Sequence, residues 1–229
     1  MSDLQQANLF EDSPSLSPQQ WERLPFDPEI PILPKTYQTL EQLATHCRQC
    51  QRCELASTRT QVVVSRGNPA ADIMIIGEAP GQSEDEQGLP FVGKSGQLLD
   101  KILASVELSP EQDVYISNIV KCRPPQNRNP STQEINACKP YLLEQIALVE
   151  PKIILLTGAT ALKGLTGEKK GISKIRGQWL QWEGYLAMAI FHPAYLLRNP
   201  SRERGKPKWL MWQDIQAVQQ KLDELRLLS

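Results

Sequence analysis

No apolar run in the 229 residues approaches the roughly 20 residues of a membrane-spanning helix, so nothing in the sequence points to a membrane. The stretch Met1–Phe10 has neither the basic start nor the apolar centre of a secretory signal. Neither charge is in surplus: 25 Lys and Arg oppose 26 Asp and Glu, a net of −1. Histidine is scarce (His46 and His192), and so is phenylalanine, with 4 residues, so each stands out when it falls in a motif. Internal repeats are absent. The cysteines (Cys47, Cys50, Cys53, Cys122 and Cys138) are odd in number, which argues against a disulfide framework in a chain without a secretory signal. What is present is an ordinary globular composition, 40% hydrophobic and 22% charged, in a chain long enough to bury a core.

The near-zero charge would argue against a nucleic-acid partner if it were evenly spread, and it is not. Residues 1–46 hold seven acids and two bases, leaving 19 acids and 23 bases, a net of +4, in residues 47–229. Six of the 18 prolines precede residue 35. Such an acidic, Pro-punctuated stretch has little apolar surface to bury, so residues 1–35 are expected to form a disordered tail and residues 36–229 the folded domain.

The domain alternates two patterns. Short apolar runs at Val62–Val64, Ile73–Gly77, Val114–Val120, Ile153–Gly158 and Leu186–Phe191 read as buried strands. Amphipathic stretches at Thr36–Cys47, Ser95–Val106, Thr132–Val149 and Trp209–Leu227 read as helices, the third opened by a capping box of Ser131 and Glu134. Alternation of this kind implies an α/β fold with helices on both faces of a parallel sheet, and a ligand site beyond the C-terminal ends of the strands. Three segments lie there: Gly77–Gly81, Asn118–Pro125 and His192–Tyr195.

Cys50 and Cys53 have the spacing of a chelating pair, and Cys122 and Cys138 supply two more thiols. Four thiolates suit zinc or an iron–sulfur cluster, and spacing does not choose between them. Cys47 extends the pair to Cys-x-x-Cys-x-x-Cys, the start of a ferredoxin run whose fourth cysteine is missing, with Ser57 in its place. Further on, Gly88–Ser95 matches the phosphate-loop pattern GxxxxGK[ST]. A phosphate loop must spring from a buried strand, whereas the residues before this one, Gln82–Gln87, are polar and carry three carboxylates. A nucleotide hydrolase using Lys94 therefore stands as an alternative reading.

Taken in order, Cys50-Gln-Arg-Cys53-Glu-Leu55, Gly77-Glu-Ala-Pro-Gly81, Gly88-Leu-Pro-Phe-Val-Gly93, Asn118-Ile-Val-Lys-Cys122-Arg-Pro-Pro125 and His192-Pro-Ala-Tyr-Leu-Leu197 resemble the family-four, iron–sulfur uracil-DNA glycosylases. The resemblance runs from about Gln42 to the C-terminus. It implies a three-layer α/β/α sandwich around a central four-stranded parallel sheet. It also implies a [4Fe–4S] cluster on Cys50, Cys53, Cys122 and Cys138, with Cys47 a nearby loop thiol and Arg48, Arg52, Lys121 and Arg123 offsetting the cluster's charge. The implied activity is hydrolysis of the bond between uracil and deoxyribose, releasing uracil and leaving an abasic site. A non-catalytic iron–sulfur module that binds DNA is the remaining alternative.

The roles implied by the resemblance suit the chemistry. Phe91 would stack on the flipped base, and Asn118 would accept from uracil N3–H and donate to O4, a pattern that cytosine inverts. His192 would donate to O2 as charge builds on the departing ring. Glu78 would orient water for attack at C1′. Ala79 and Pro80 would line the pocket, and Glu84 would exclude the C5 methyl of thymine. Arg198, Arg202 and Arg204, with Lys206 and Lys208, would meet phosphates, and Leu196 or Leu197 would wedge into the stack. Ala194 replaces the serine frequent in the family's His-Pro-Ser, so one phosphate contact is missing. The basic insertion near Asn127–Pro130 found in covalently trapping relatives is also missing, which favours turnover. In the tail, Gln6-Ala-Asn-Leu9-Phe10 fits the pentapeptide that docks into the bacterial sliding clamp. The chain is expected to be a monomeric, nucleoid-associated cytoplasmic protein of a prokaryote.

Overall fold

A computed structural model describes residues 16–228. Its centre is a six-stranded sheet of β1 (Arg66–Gly67), β2 (Ile73–Gly77), β3 (Val114–Asn118), β4 (Ile153–Thr157), β5 (Trp179–Trp182) and β6 (Tyr185–Ile190), in the order β1-β3-β2-β4-β6-β5. The four inner strands are parallel, as expected, and the two edge strands are antiparallel to their neighbours.

β2, β3 and β4 are buried along their whole length, which is why they read as unbroken apolar runs. Alternate residues face opposite layers. Ile73 and Ile75 meet Leu99 and Leu103 of α4 (Lys94–Ala104) and Ile215 and Val218 of α9 (Pro207–Leu227). Met74 and Ile76 meet Leu142 and Ile146 of α5 (Thr132–Val149) and Leu162 and Leu165 of α6 (Ala159–Thr166). The result is the three-layer α/β/α sandwich, with the one-turn helix α7 (Ile172–Ile175) between α6 and β5.

The edges depart from the sequence reading. Val62–Val64 lies outside the sheet ladder: Val63 N–H donates to the Lys121 carbonyl (2.8 Å) in the loop beyond β3. β5 was not expected at all. It joins β6 through Glu183 and Gly184, both left-handed (φ 47° and 84°), the backbone of a tight hairpin turn.

The expected tail boundary at residue 35 also falls inside the fold. Ser17 caps α1 (Pro18–Arg23) in a capping box with Gln20, and Leu24, Ile30 and Ile32 are buried against Tyr37, Leu43 and Tyr141. Two side chains of the body hold this segment. Arg52 Nη1 donates to the carbonyls of Leu24, Asp27 and Ile30 at 2.8–2.9 Å, and the Glu144 carboxylate accepts from Lys35 and Tyr37 N–H at 2.9 and 3.0 Å. A Pro-rich chain that cannot pair its own backbone is ordered by partners supplied from elsewhere.

Candidate active site

The parallel strands end at one face of a cavity of about 630 Å³. Glu78, Ala79 and Pro80 follow β2, Asn118 closes β3, Gly158 and Ala159 follow β4, and His192 follows β6. Gly77 and Asn118 are partners across the β2–β3 ladder. A Cβ on Gly77 would stand 2.4 Å from Asn118 Oδ1 and 2.6 Å from the Phe91 ring, so only glycine lets these two side chains approach.

Phe91 is 6% exposed, and its ring stacks with the His192 imidazole at 5.8 Å between centroids and 29° between planes. Its backbone is left-handed (φ 54°), a state that costs an aromatic residue about 1–3 kcal/mol and needs outside support. Arg66 donates to the carbonyls of Pro90 (2.8 Å) and Phe91 (3.2 Å) and to Asp100 (2.5 Å). Glu84 Oε1 accepts from Val92 and Gly93 N–H at 3.0 and 2.8 Å, while Oε2 accepts from Gly81 N–H at 3.1 Å. Glu84, at the N-terminus of α3 (Gln82–Gln87), does line the cavity, but its carboxylate is committed to three main-chain donors rather than turned to a base's C5. Arg66 carried no sequence signal, because its role lies in two carbonyls 24 and 25 residues away.

The same geometry removes the phosphate-loop reading. Gly88–Ser95 joins α3 to α4 and follows no strand, and Glu84 already occupies the N–H groups that would cradle phosphate.

Asn118 is 2% exposed, and its Oδ1 has no hydrogen-bond partner although it is buried at the cavity wall. Its carbonyl accepts from Lys121 Nζ at 2.6 Å, which fixes the backbone that carries it. His192 caps α8 (Pro193–Arg198): its Nδ1 accepts from Ala194 N–H at 3.1 Å. Burial, aided by the Arg198 charge, lowers its pKa to about 4, so the ring is neutral near pH 7 and its proton sits on Nε2. Glu78 is half-buried, and its carboxylate has no partner among the described residues. The cavity also takes in Lys94 and Ser95 from the first turn of α4, and Arg128, whose guanidinium grips buried Glu134 at 2.9 and 2.6 Å.

Residues 64–216 match the family model of the uracil DNA glycosylase superfamily. The chain belongs to that superfamily. Within it the chain is similar to the type-4 uracil-DNA glycosylase of Thermotoga maritima, 45% identical over 166 residues that make up 72% of this chain and 86% of that protein. It is 41% identical to the type-4 enzyme of Saccharolobus solfataricus over 70% of this chain and 78% of that one. A type-5 enzyme of Pyrobaculum aerophilum is 29% identical over 59% and 67%. The type-4 branch is therefore the one this chain joins.

In this type-4 chain, the expected DNA contacts divide. Arg198 lines the cavity, and Arg202 and Arg204 are exposed beyond it, the latter over the Trp209 ring at 5.9 Å. Leu196 is 1% exposed within the core and cannot enter a base stack, whereas Leu197 is 44% exposed. The α8 helix turns one leucine in and its neighbour out.

All five cysteines surround a small void apart from this cavity, together with Arg52, Arg59 and Lys121. Cys50 ends α2 (Leu40–Gln49), Cys53 starts a short 3₁₀ turn, Cys122 lies in the loop beyond β3, and Cys138 sits on α5. Lys121 N–H donates to Cys138 Sγ (3.3 Å) and Arg59 Nη1 to Cys122 Sγ (3.5 Å), donors of the kind that stabilise thiolates. Arg52, Arg59 and Lys121 are the cations that line the void, and the Lys121 ammonium is itself held by Ser117 Oγ (2.8 Å) and the Asn118 carbonyl (2.6 Å). Arg52 lies here as expected, although its Nη atoms donate to the carbonyls of residues 24–30, whereas Arg123 is turned to Asn127. Cys47 is a buried residue of α2, not a loop thiol. Among the described residues no group of three or more ligands is arranged to hold a single metal ion, but an all-sulfur donor set with N–H support fits a thiolate-bound cluster.

Proposed function

We propose that the cavity excises uracil from DNA by hydrolysis, releasing free uracil and leaving an abasic site for base excision repair. The observation that carries this reading is the buried, unpartnered Asn118 Oδ1 beside the Phe91–His192 stack. A buried acceptor without a donor is costly, and uracil N3–H is the donor it lacks. Cytosine, with an acceptor at N3, would leave it unpaired, and such mismatches discriminate strongly. Phe91 holds the flipped base by its face, and Ala79 and Pro80 close the pocket around it. As the C1′–N1 bond stretches, negative charge gathers on the ring oxygens, and neutral His192 donates from Nε2 without giving up its proton. Glu78, unpaired at the same cavity, orients water toward C1′ and offsets the positive sugar. Arg198, Arg202 and Arg204 hold the flanking phosphates, with Leu197 rather than Leu196 as the wedge.

Cys50, Cys53, Cys122 and Cys138 would hold a [4Fe–4S] cluster, tying α2 and α5 to the loop that follows Asn118. In such a cluster each thiolate binds a different iron, so the ligands stand farther apart than around one ion. That is consistent with thiols ringing a void without forming a single-ion site. The cluster's role is architectural, and the reaction itself requires no metal. Iron and sulfide assay of the purified protein tests this reading; zinc in their place overturns it.

The decisive test of activity is a uracil-containing oligonucleotide incubated with the protein and then treated with alkali. Strand cleavage at uracil is expected, and none at cytosine or thymine in the same context. Intact strands with folded, iron-loaded protein would refute the assignment.

Gln6–Phe10 lies outside the described residues, and binding of this segment to a bacterial sliding clamp remains part of the proposal, as do a monomeric state and a nucleoid location. Full-length protein should be retained on immobilised clamp and a variant lacking residues 1–12 should not; equal retention rejects the clamp.

A further inference from the structure

A second hollow, of about 430 Å³, lies between α4 and α9. Leu98, Ile102, Leu196 and Met211 line it, with Trp209 and Trp212 beside them and Lys101, Arg202 and Lys208 among its lining cations. Trp212 is 41% exposed, an unusual state for a large aromatic on a face with no apolar cover. Two helices contribute to both the uracil cavity and the hollow. Lys94 and Ser95 of α4 line the cavity, and Leu98, Lys101, Ile102 and Ser105 continue the same helix face into the hollow. α8 bridges them too, with Ala194 and Arg198 on the cavity and Leu196 in the hollow. Ser95 to Ile102 spans about 10 Å at 1.5 Å per residue, the reach of about three stacked nucleotide steps of ~3.4 Å.

We infer that this hollow receives an unstacked base of the substrate strand, two or three nucleotides from the target, with Trp212 as its stacking platform. The inference rests on the reading of the neighbouring cavity as the uracil site. Aromatic faces interleaved with cations are what a single strand requires, because every base has a π-face and every linkage a negative charge. Lys101, Arg202 and Lys208 line the hollow, and Arg202, Arg204, Lys206 and Lys208 follow one another with only Glu203 among them in sequence. Such a concentration of like charge repels a second copy of this chain and attracts a phosphate backbone.

The test uses the full chain and single-stranded 15-mers with one central uracil, carrying 2-aminopurine one to four positions to either side. Wild-type protein should change the fluorescence of the probe at one or two neighbouring positions, two or three nucleotides away. Trp212→Ala should abolish that change and weaken binding about tenfold, a typical loss for one stacked base. Trp212→Phe should restore both, and the single-turnover excision rate at saturating enzyme should stay within twofold in each variant. Unchanged affinity and unchanged probe signals in Trp212→Ala overturn the proposal. So does a wild-type dimer in sedimentation that Trp212→Ala dissolves, which would make the hollow a contact between copies. Binding is read without excision. Failure of wild-type protein to release uracil therefore refutes the cavity's assignment, while the fluorescence titration alone decides whether the hollow takes a base.

Discussion

His192 shows how one hydrogen bond can set a chemical role. Because Nδ1 accepts from Ala194 N–H, the only proton of the neutral ring is on Nε2. Burial then keeps the ring neutral down to about pH 4. The folded pKa lies below the unfolded value of about 6.5, so the unfolded chain binds more protons between those limits. The stability that this neutral, buried ring represents is therefore full above pH 6.5 and is lost as pH falls toward 4. Nitrogen-detected NMR should find a neutral imidazole protonated at Nε2 at pH 7, and no inflection in excision rate near pH 6.5 from this group; a titration at 6.5 would contradict the geometry. Replacing the donor in His192→Ala should slow single-turnover excision at least tenfold with the fold intact, since a lost oxyanion donor costs about 3–4 kcal/mol. His192 was legible in the sequence from its rarity and its place after a strand. Its neutrality was not, because that depends on burial and on a neighbour's charge.

At the scale of elements, the site is a property of strand ends and the loops they launch. The inner strands were legible because burial on both faces leaves unbroken apolar runs. The edge strands were not: two residues at Arg66–Gly67 make no pattern, and Trp179–Trp182 is half-exposed on a hairpin. The loop that carries Phe91 was legible as a motif, but the two groups that hold it, Arg66 and Glu84, were hidden or misassigned because their partners are main-chain atoms. The β2–β3 register places Gly77 against Asn118, under the Phe91 ring. Gly77→Ala forces a methyl into both, and overpacking of this kind costs about 1–3 kcal/mol if the neighbours hold. If they yield, Phe91 and Asn118 move. Either way, excision should fall at least tenfold while the sheet stays assembled. Rate measurements beside circular-dichroism melts check this, and wild-type excision by Gly77→Ala would mean that the contact has slack.

For the whole molecule, the net charge of −1 conceals an uneven distribution whose boundary matters. Composition alone ended the acidic tail at residue 35, averaging over Leu24, Ile30 and Ile32, which the fold buries. Only Asp3, Glu11 and Asp12, with no base, precede residue 16, so removing residues 1–15 leaves 25 bases against 23 acids, a net of +2. A [4Fe–4S]²⁺ cluster on four thiolates would add about −2 to that. DNA affinity must then come from the local basic face beyond His192, and it should be salt-sensitive. The two truncations should separate charge from packing. Deleting residues 1–15 should tighten non-specific DNA binding a few-fold at low ionic strength and lose that gain at high salt. Deleting residues 1–35 also strips Leu24, Ile30 and Ile32 from their cluster and empties the carbonyl cradle around Arg52. With each buried aliphatic worth about 2–5 kcal/mol, the melting temperature should fall by on the order of 10 °C. Equal melting temperatures for the two truncations would mean that residues 16–35 are carried by the domain without stabilising it.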